Sequence, residues 1–326
     1  MARMIIGQNV ICITSGSHLP HQTFKGVKMS IDQVSQNDPE DQIIEGVEHL
    51  GLTLQDEQRR KIREKISQIK NYVPKVGVLG KTGAGKSSLC NALFGKKLYK
   101  INDITACTRE PQSITLSFTE GSGGIALVDV PGVGESRDRD IEYSELYKNL
   151  LPELDLVLWV IKGDDRALSI DEQFFKECVE PHKATTPVAF VINQVDKIEP
   201  YREWDEKNKT PSPKQLENIR MKAEEVAKVF NVSSNEICAV SADEGFGLVG
   251  LVEHVINILP NEKKFGFARE TKKENISTKS AKEVERGVWE TIKEYAGKIG
   301  DFYTKNKTAI HTLFGVLWKL YTKKKT

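Results

Sequence analysis

The stretch GKTGAGKSS, Gly80 to Ser88, constrains this chain more than any other. An apolar run, KVGVLG (75–80), leads into it, and KSSLCNALFG (86–95) leaves it as a helical pattern closed by Gly95. Gly80, Gly85, Lys86 and Ser87 fill the pattern G-x-x-x-x-G-K-[ST] without a mismatch, in the strand-to-helix setting that gives the motif its meaning. Glycines at 80, 83 and 85 let the backbone curl so that its N–H groups converge on phosphate oxygens. The helix N-terminus adds about half a positive charge. Lys86 is spaced to reach the β- and γ-phosphates, and Ser87 to ligate Mg²⁺. The first expectation is therefore a nucleoside phosphate held by Gly80, Lys81, Thr82, Gly83, Ala84, Gly85, Lys86, Ser87 and Ser88.

Beyond this loop the chain alternates between short β-rich runs and helical patterns. QSITLSF (112–118) and GGIALVDV (123–130) read as an antiparallel hairpin. DLVLWVIKGD, TPVAFVINQVD and EICAVSA read as further strands, separated by helices. One of those helices is opened by Ser169 and Glu172 as a capping box. Strands that are continuous apolar runs belong to a sheet covered on both faces. The predicted fold class is α/β: a P-loop G domain with a mostly parallel, six-stranded sheet and helices on both faces, flanked by helical segments from both termini. The expected organisation is an irregular arm over 1–40, a helical segment over 41–73, the G domain over 74–260 and a basic helical segment over 261–326.

A phosphate loop does not choose its base. Selection comes from the C-terminal ends of later strands, and three stretches fall there in order. DVPG ends the third strand, where Asp129 is placed to hold Mg²⁺ through water and the Gly132 N–H to meet the γ-phosphate. NQVD ends the fifth, where Asn193, Gln194 and Asp196 suit a guanine edge, the carboxylate accepting from the ring N–H and the exocyclic amine. Adenine has no such pair of donors. SAD ends the sixth, offering Ser241 and the Ala242 N–H to the guanine carbonyl.

Taken together, GKTGAGKSSLCNALFG, TRE, DVPGVGES, NQVDKIEP and SADEGFGL resemble the Era-like (TrmE-Era-type) P-loop GTPases, and most of all the prophage-borne YfjP-type GTP-binding proteins. The resemblance spans about residues 70–260. It implies GTP and GDP as ligands, Mg²⁺ as cofactor, hydrolysis of GTP, and a switch threonine. Thr105 and Thr108 are both available; the Thr-Arg pair before the second strand matches the family and selects Thr108, as a Mg²⁺ ligand and part of the catalytic set with Lys86 and Gly132. Three positions depart from related patterns. Gln194 stands where the family usually has lysine. Val133 stands where Ras-like proteins carry a water-positioning glutamine, as an apolar residue does in Era-like proteins, so a slow intrinsic rate is expected. Gly83 replaces the asparagine that supports potassium activation in TrmE-type enzymes.

Charge separates the tail from the rest. The formal net charge is +1, yet residues 262–326 carry 16 Lys/Arg against 8 Asp/Glu, which leaves the first 261 residues at −7. Val284, Val288, Ile292, Tyr295, Ile299 and Phe302 form one helical stripe and Ile310, Leu313, Phe314, Leu317, Leu320 and Tyr321 a second. The expectation is that both pack on protein. A membrane surface or an RNA or ribosome partner for this basic segment, and a homodimer through the G domain, are the other readings. A nucleotide-regulated, membrane-associated module of the immunity-related or dynamin-like kind is the alternative to a switch GTPase. The five cysteines are dispersed with no CxxC pair, and the six histidines offer no ligand pair, which disfavours a disulfide frame or a metal-hydrolase centre. No run is apolar enough to span a bilayer, and a cytoplasmic protein, at most peripheral to membrane, is expected. Met29 is an alternative start.

Overall fold

The computed structural model describes residues 39–49, 53–95, 112–116, 125–129 and 148–296. Two helices come first, α1 (Pro39–His49) and α2 (Asp56–Asn71), followed by β1 (Lys75–Leu79) and the phosphate-loop helix α3 (Lys86–Phe94). The hairpin strands are β2 (Gln112–Leu116) and β3 (Ile125–Asp129). After β4 (Leu156–Lys162) come α4 (Ser169–Phe174), β5 (Val188–Asn193), α5 (Pro213–Phe230), β6 (Ile237–Ala239), α6 (Leu248–Ile258), α7 (Asn261–Glu270) and α8 (Thr278–Ala296).

The strands form one sheet in the order β2-β3-β1-β4-β5-β6. All neighbours run parallel except β2, which pairs antiparallel with β3, Gln112 opposite Asp129 and Leu116 opposite Ile125. Because the other strands point the same way, the C-terminal ends of β1, β3, β5 and β6 lie along one edge, where ligands bind in open α/β sheets.

The two-faced burial follows from the period-2 alternation of a strand. In β4, Leu156, Leu158 and Val160 face one core, while Val157, Trp159 and Ile161 face the other. The second core is aromatic. Phe175 meets Trp159 at 5.4 Å, Phe190 at 5.2 Å and Phe230 at 5.2 Å between ring centroids, two of these contacts edge-on. The first core reaches well beyond the sheet. Ile62, Ile66 and Ile69 of α2, Phe265 and Phe267 of α7, and Val284, Val288 and Ile292 of α8 share one cluster with Val76, Val78, Leu89 and Phe94. The described part of the C-terminal stripe is thus covered by protein; residues 308–326 lie outside the described residues, as do residues 1–38, and the last two residues of the arm expected over 1–40 belong to α1. No helix among the described residues is long and apolar enough to cross a membrane.

One local expectation fails. Ser169 does not cap α4: Leu168 is the N-cap, already in the right-handed helical region and without a side-chain cap bond. Leu168 O accepts from Glu172 N at 2.8 Å, and the Glu172 side chain pairs with Lys176 instead. The helix begins early because the preceding turn is pinned from outside it, by Lys81.

Candidate nucleotide site

The phosphate loop is built around main-chain closeness. Gly80 has φ 138°, and a Cβ there would stand 2.0 Å from Val160 O of the neighbouring strand. Gly85, φ 80°, is the N-cap of α3, and a Cβ there would stand 2.4 Å from Asn193 Nδ2. Lys86 opens α3 and folds back over the loop, donating to Gly80 O at 2.9 Å and Lys81 O at 3.2 Å. Its ammonium therefore sits at the mouth of a backbone ring, beside the N-terminus of a helix, where both charge and N–H groups favour an anion. Ala84 is buried, Thr82 and Gly83 are exposed, and Ser87 and Ser88 lie half-buried in the first turn of α3.

Lys81 behaves differently from its neighbours. Its ammonium pairs with Asp171 at 2.6 Å and Asp165 at 2.9 Å and also donates to Ala167 O. Burial works against this charge, but the two carboxylates outweigh it and hold the ammonium above the ordinary lysine value. Burial pushes the Asp165 carboxyl up, yet Lys81 and the Ala167 N–H bring it below the ordinary aspartate range. At Asp171 burial prevails, and the carboxyl stays above it. Lys81 thus contributes its backbone to the loop, while its side chain fastens the loop to the turn between β4 and α4.

Asn193, at the end of β5, is fully buried and ties the site together. Nδ2 donates to Ala84 O at 3.0 Å and Gly85 O at 3.3 Å, and Oδ1 accepts from Ala242 N at 3.1 Å. The Ala242 N–H, expected to meet guanine, is thus engaged by Asn193 in this structure. Ser241 is buried and forms a two-bond bridge with Phe246, 3.1 Å each way, closing the loop after β6. Trp204 packs edge-on against Phe246 at 5.7 Å, joining that loop to the one after β5.

Gln194 adopts a left-handed conformation, φ 62°, and its Nε2 donates to Gly83 O at 3.1 Å while Oε1 accepts from Lys197 at 3.2 Å. An amide at this position can therefore bridge to the phosphate loop without a lysine. Asp196 Oδ1 is buried and has no hydrogen-bond partner. An unpaired buried carboxylate oxygen is costly, and an N–H donor would satisfy it.

For Mg²⁺ the donor set is one hydroxyl, Ser87, and one carboxylate, Asp129. The β1–β3 register sets Asp129 beside Val78, two residues before Gly80 in the chain. Thr108 and Gly132 lie outside the described residues.

Two residues that the sequence reading missed complete the site. Gln215, fully buried on α5, donates from Nε2 to Asp196 O at 3.0 Å and Ile198 O at 2.9 Å. Asn218, one turn on, donates to Glu199 O at 2.6 Å. The signal for the first was present as Ser212-Pro213-Lys214-Gln215, the spacing of a capping box.

Comparison with known proteins agrees with this geometry. A family model described as 50S ribosome-binding GTPase matches residues 75–194. YkfA of Escherichia coli (strain K12) is 44% identical over 205 residues, 62% of this chain and 68% of that protein. YfjP of the same organism is 42% identical over 205 residues, with the same coverage of each chain. GTPase Era of Aquifex aeolicus (strain VF5) is 29% identical over 188 residues, 57% of this chain and 56% of that one. A phosphate loop and an NxxD turn on the edge of a largely parallel sheet define a P-loop G domain. With these relatives, the chain belongs to the Era-like P-loop GTPases, in the group of YkfA and YfjP.

Proposed function

We propose that the protein binds GTP with Mg²⁺, hydrolyses it slowly to GDP and inorganic phosphate, and acts as a guanine-nucleotide switch. The observation that carries the guanine assignment is the buried, partnerless Asp196 Oδ1 in the turn after β5, on the same edge as a phosphate loop strapped to β5 by Asn193. Lys86 would exchange its two loop carbonyls for β- and γ-phosphate oxygens and offset charge on the γ-phosphoryl group as water attacks and GDP leaves. Ser87, Thr108 and Asp129 would hold the magnesium ion, which supplies further charge neutralisation at the phosphates. With Val133 in place of a water-orienting glutamine, turnover without a partner should be on the order of 10⁻⁴ to 10⁻² s⁻¹, the range of unassisted G domains.

Calorimetry tests the base. GDP should bind at least about tenfold more tightly than ADP, about 1.4 kcal/mol, and Asp196→Asn should move the preference toward xanthine nucleotides, whose ring presents an acceptor where guanine has a donor. Equal affinities of the parent protein for GDP and ADP would remove the guanine assignment. Single-turnover assays test the switch. Lys86→Ala should abolish nucleotide binding, whereas Thr108→Ala should keep GDP binding and slow hydrolysis; a parental rate would move the role to Thr105.

A further inference from the structure

The turn after β5 must present the Asp196 carboxylate at a fixed angle, and apart from the short 3₁₀ segments Val195–Lys197 and Tyr201–Glu203 it has no regular structure of its own. It is held on one side by Val195 N, which donates to Val240 O at 3.2 Å, and by Gln194 on Gly83 O, and on the other by α5. Ser212-Pro213-Lys214-Gln215 has the spacing of a capping box, in which the serine oxygen accepts from the N3 N–H and the glutamine oxygen accepts in return from the N-cap N–H. The first half forms: Ser212 Oγ accepts from Gln215 N at 3.1 Å. The second does not. Gln215 Oε1 is buried without a hydrogen-bond partner, while Nε2 is directed to Asp196 O at 3.0 Å and Ile198 O at 2.9 Å. A fully buried side chain thus forgoes a bond that would stabilise its own helix and holds the two carbonyls on either side of the Asp196–Ile198 segment. Asn218 adds Glu199 O, at 2.6 Å. The chemistry is selective as well as positional. A capping box accepts glutamate as readily as glutamine, but two carbonyl oxygens require a donor, which only the amide supplies.

We infer that Gln215, with Asn218, is a positioning residue for guanine selectivity: three main-chain carbonyls of the turn after β5 are tethered to α5 so that the Asp196 carboxylate meets the base edge. The inference rests on the guanine reading above. Asp196 touches the base; Gln215 acts through it.

The test is competition of GDP and ADP against a fluorescent GDP analogue on the full chain. Gln215→Met keeps the side-chain length and removes both donors. It should weaken GDP about tenfold, as loss of two hydrogen bonds implies, and leave ADP within about twofold, so that the selectivity ratio falls. In an Asp196→Ala background the same change should have no further effect on GDP, since nothing remains to position. A residue that only supported the fold would weaken both nucleotides alike and add its effect in the double variant; either result overturns the inference. If Gln215→Met does not fold, Asn218→Ala leaves the buried amide in place and should lower the same ratio about threefold, from one bond; an unchanged ratio there also overturns it. Equal GDP and ADP affinity in the parent would remove the guanine reading and this inference with it. A guanine-selective parent whose ratio is unmoved by the variants removes this inference alone.

Discussion

At the scale of single residues, the site depends on groups that bond in two directions at once. Asn193 joins the phosphate loop through two carbonyls and the loop after β6 through Ala242 N, and it is fully buried. Asn193→Ala leaves those three groups without this partner, so the variant should lose about 2–3 kcal/mol in urea unfolding even without nucleotide, the penalty for stranded buried polar groups. Asn193→Asp should be no better, because an acceptor would then face Ala84 O and Gly85 O; an apo stability equal to the parent in either variant would contradict the bridging role. Asn193 was legible in the sequence as a motif position, from its spacing, but not as the bridge between these two loops. Gln215 was legible only as a capping-box position, and Asn218 not at all; the tethers themselves were hidden, since their partners are backbone carbonyls, which leave no trace in the sequence of the turn they hold. Lys81 was legible as a loop member but not as the partner of Asp165 and Asp171, because proximity across the end of β4 is a property of the sheet.

At the scale of elements, apolar spacing was informative and polar pairing was not. Val284, Val288 and Ile292 mark the buried face of α8 in sequence and in space. That α7 lies beside it had no such marker, and the pairing brings Lys264, only 2% exposed, to Glu283. Glu283 also accepts from Arg286 at 2.8 and 2.6 Å. Arg286 first, then Lys264, outweigh burial and bring the Glu283 carboxyl down to about 2. A folded value below the unfolded one stabilises the fold at pH values above the unfolded value, and this support is lost as pH falls from the ordinary glutamate range toward 2. Glu283→Gln should therefore cost about 2–3 kcal/mol at pH 7, where it leaves the Lys264 ammonium buried without its counter-charge. The gap between parent and variant should narrow steadily in denaturation measured from pH 5 to pH 3. A gap that is constant with pH would mean that the carboxylate charge is not what holds α7 to α8. The capping expectation at Ser169 failed for a related reason: a tertiary pin, Lys81 on Asp171, decided where α4 begins.

At the scale of the whole molecule, the change of sequence pattern near residues 74 and 260 marks where the nucleotide-binding motifs lie, and the core crosses both points. Ile62, Ile66 and Ile69 from before the G domain, and Phe265, Phe267, Val284 and Val288 from after it, belong to the cluster that contains Val76 and Val78 of β1. Polar bonds reinforce the junction. Lys272 N donates to Leu93 O at 2.8 Å and Asn275 Nδ2 to Ala92 O at 3.0 Å, fastening the α7–α8 connection to the C-terminal end of the phosphate-loop helix. Phe94 meets Phe267 edge-on at 5.7 Å. Arg269 bonds Lys70 O and, at 3.2 Å, Tyr72 O, and so links α7 to the end of α2. Each large apolar side chain stripped of its cover forfeits about 1.5–3 kcal/mol, and total stabilities are only about 5–15 kcal/mol. A fragment spanning 74–260 should therefore keep every nucleotide motif and still melt well below the parent, by 10 °C or more at about 2–4 °C per kcal/mol. Excess GDP should recover part of the loss by mass action, about 2.7 kcal/mol at a hundred times the dissociation constant. Differential scanning calorimetry of the fragment, with and without GDP, decides the matter. A fragment melting within a few degrees of the parent would show that the helices at the two ends only rest on an independent G domain, whereas the shared core and the bonds to α3 require that they are part of what holds the phosphate-loop helix in place.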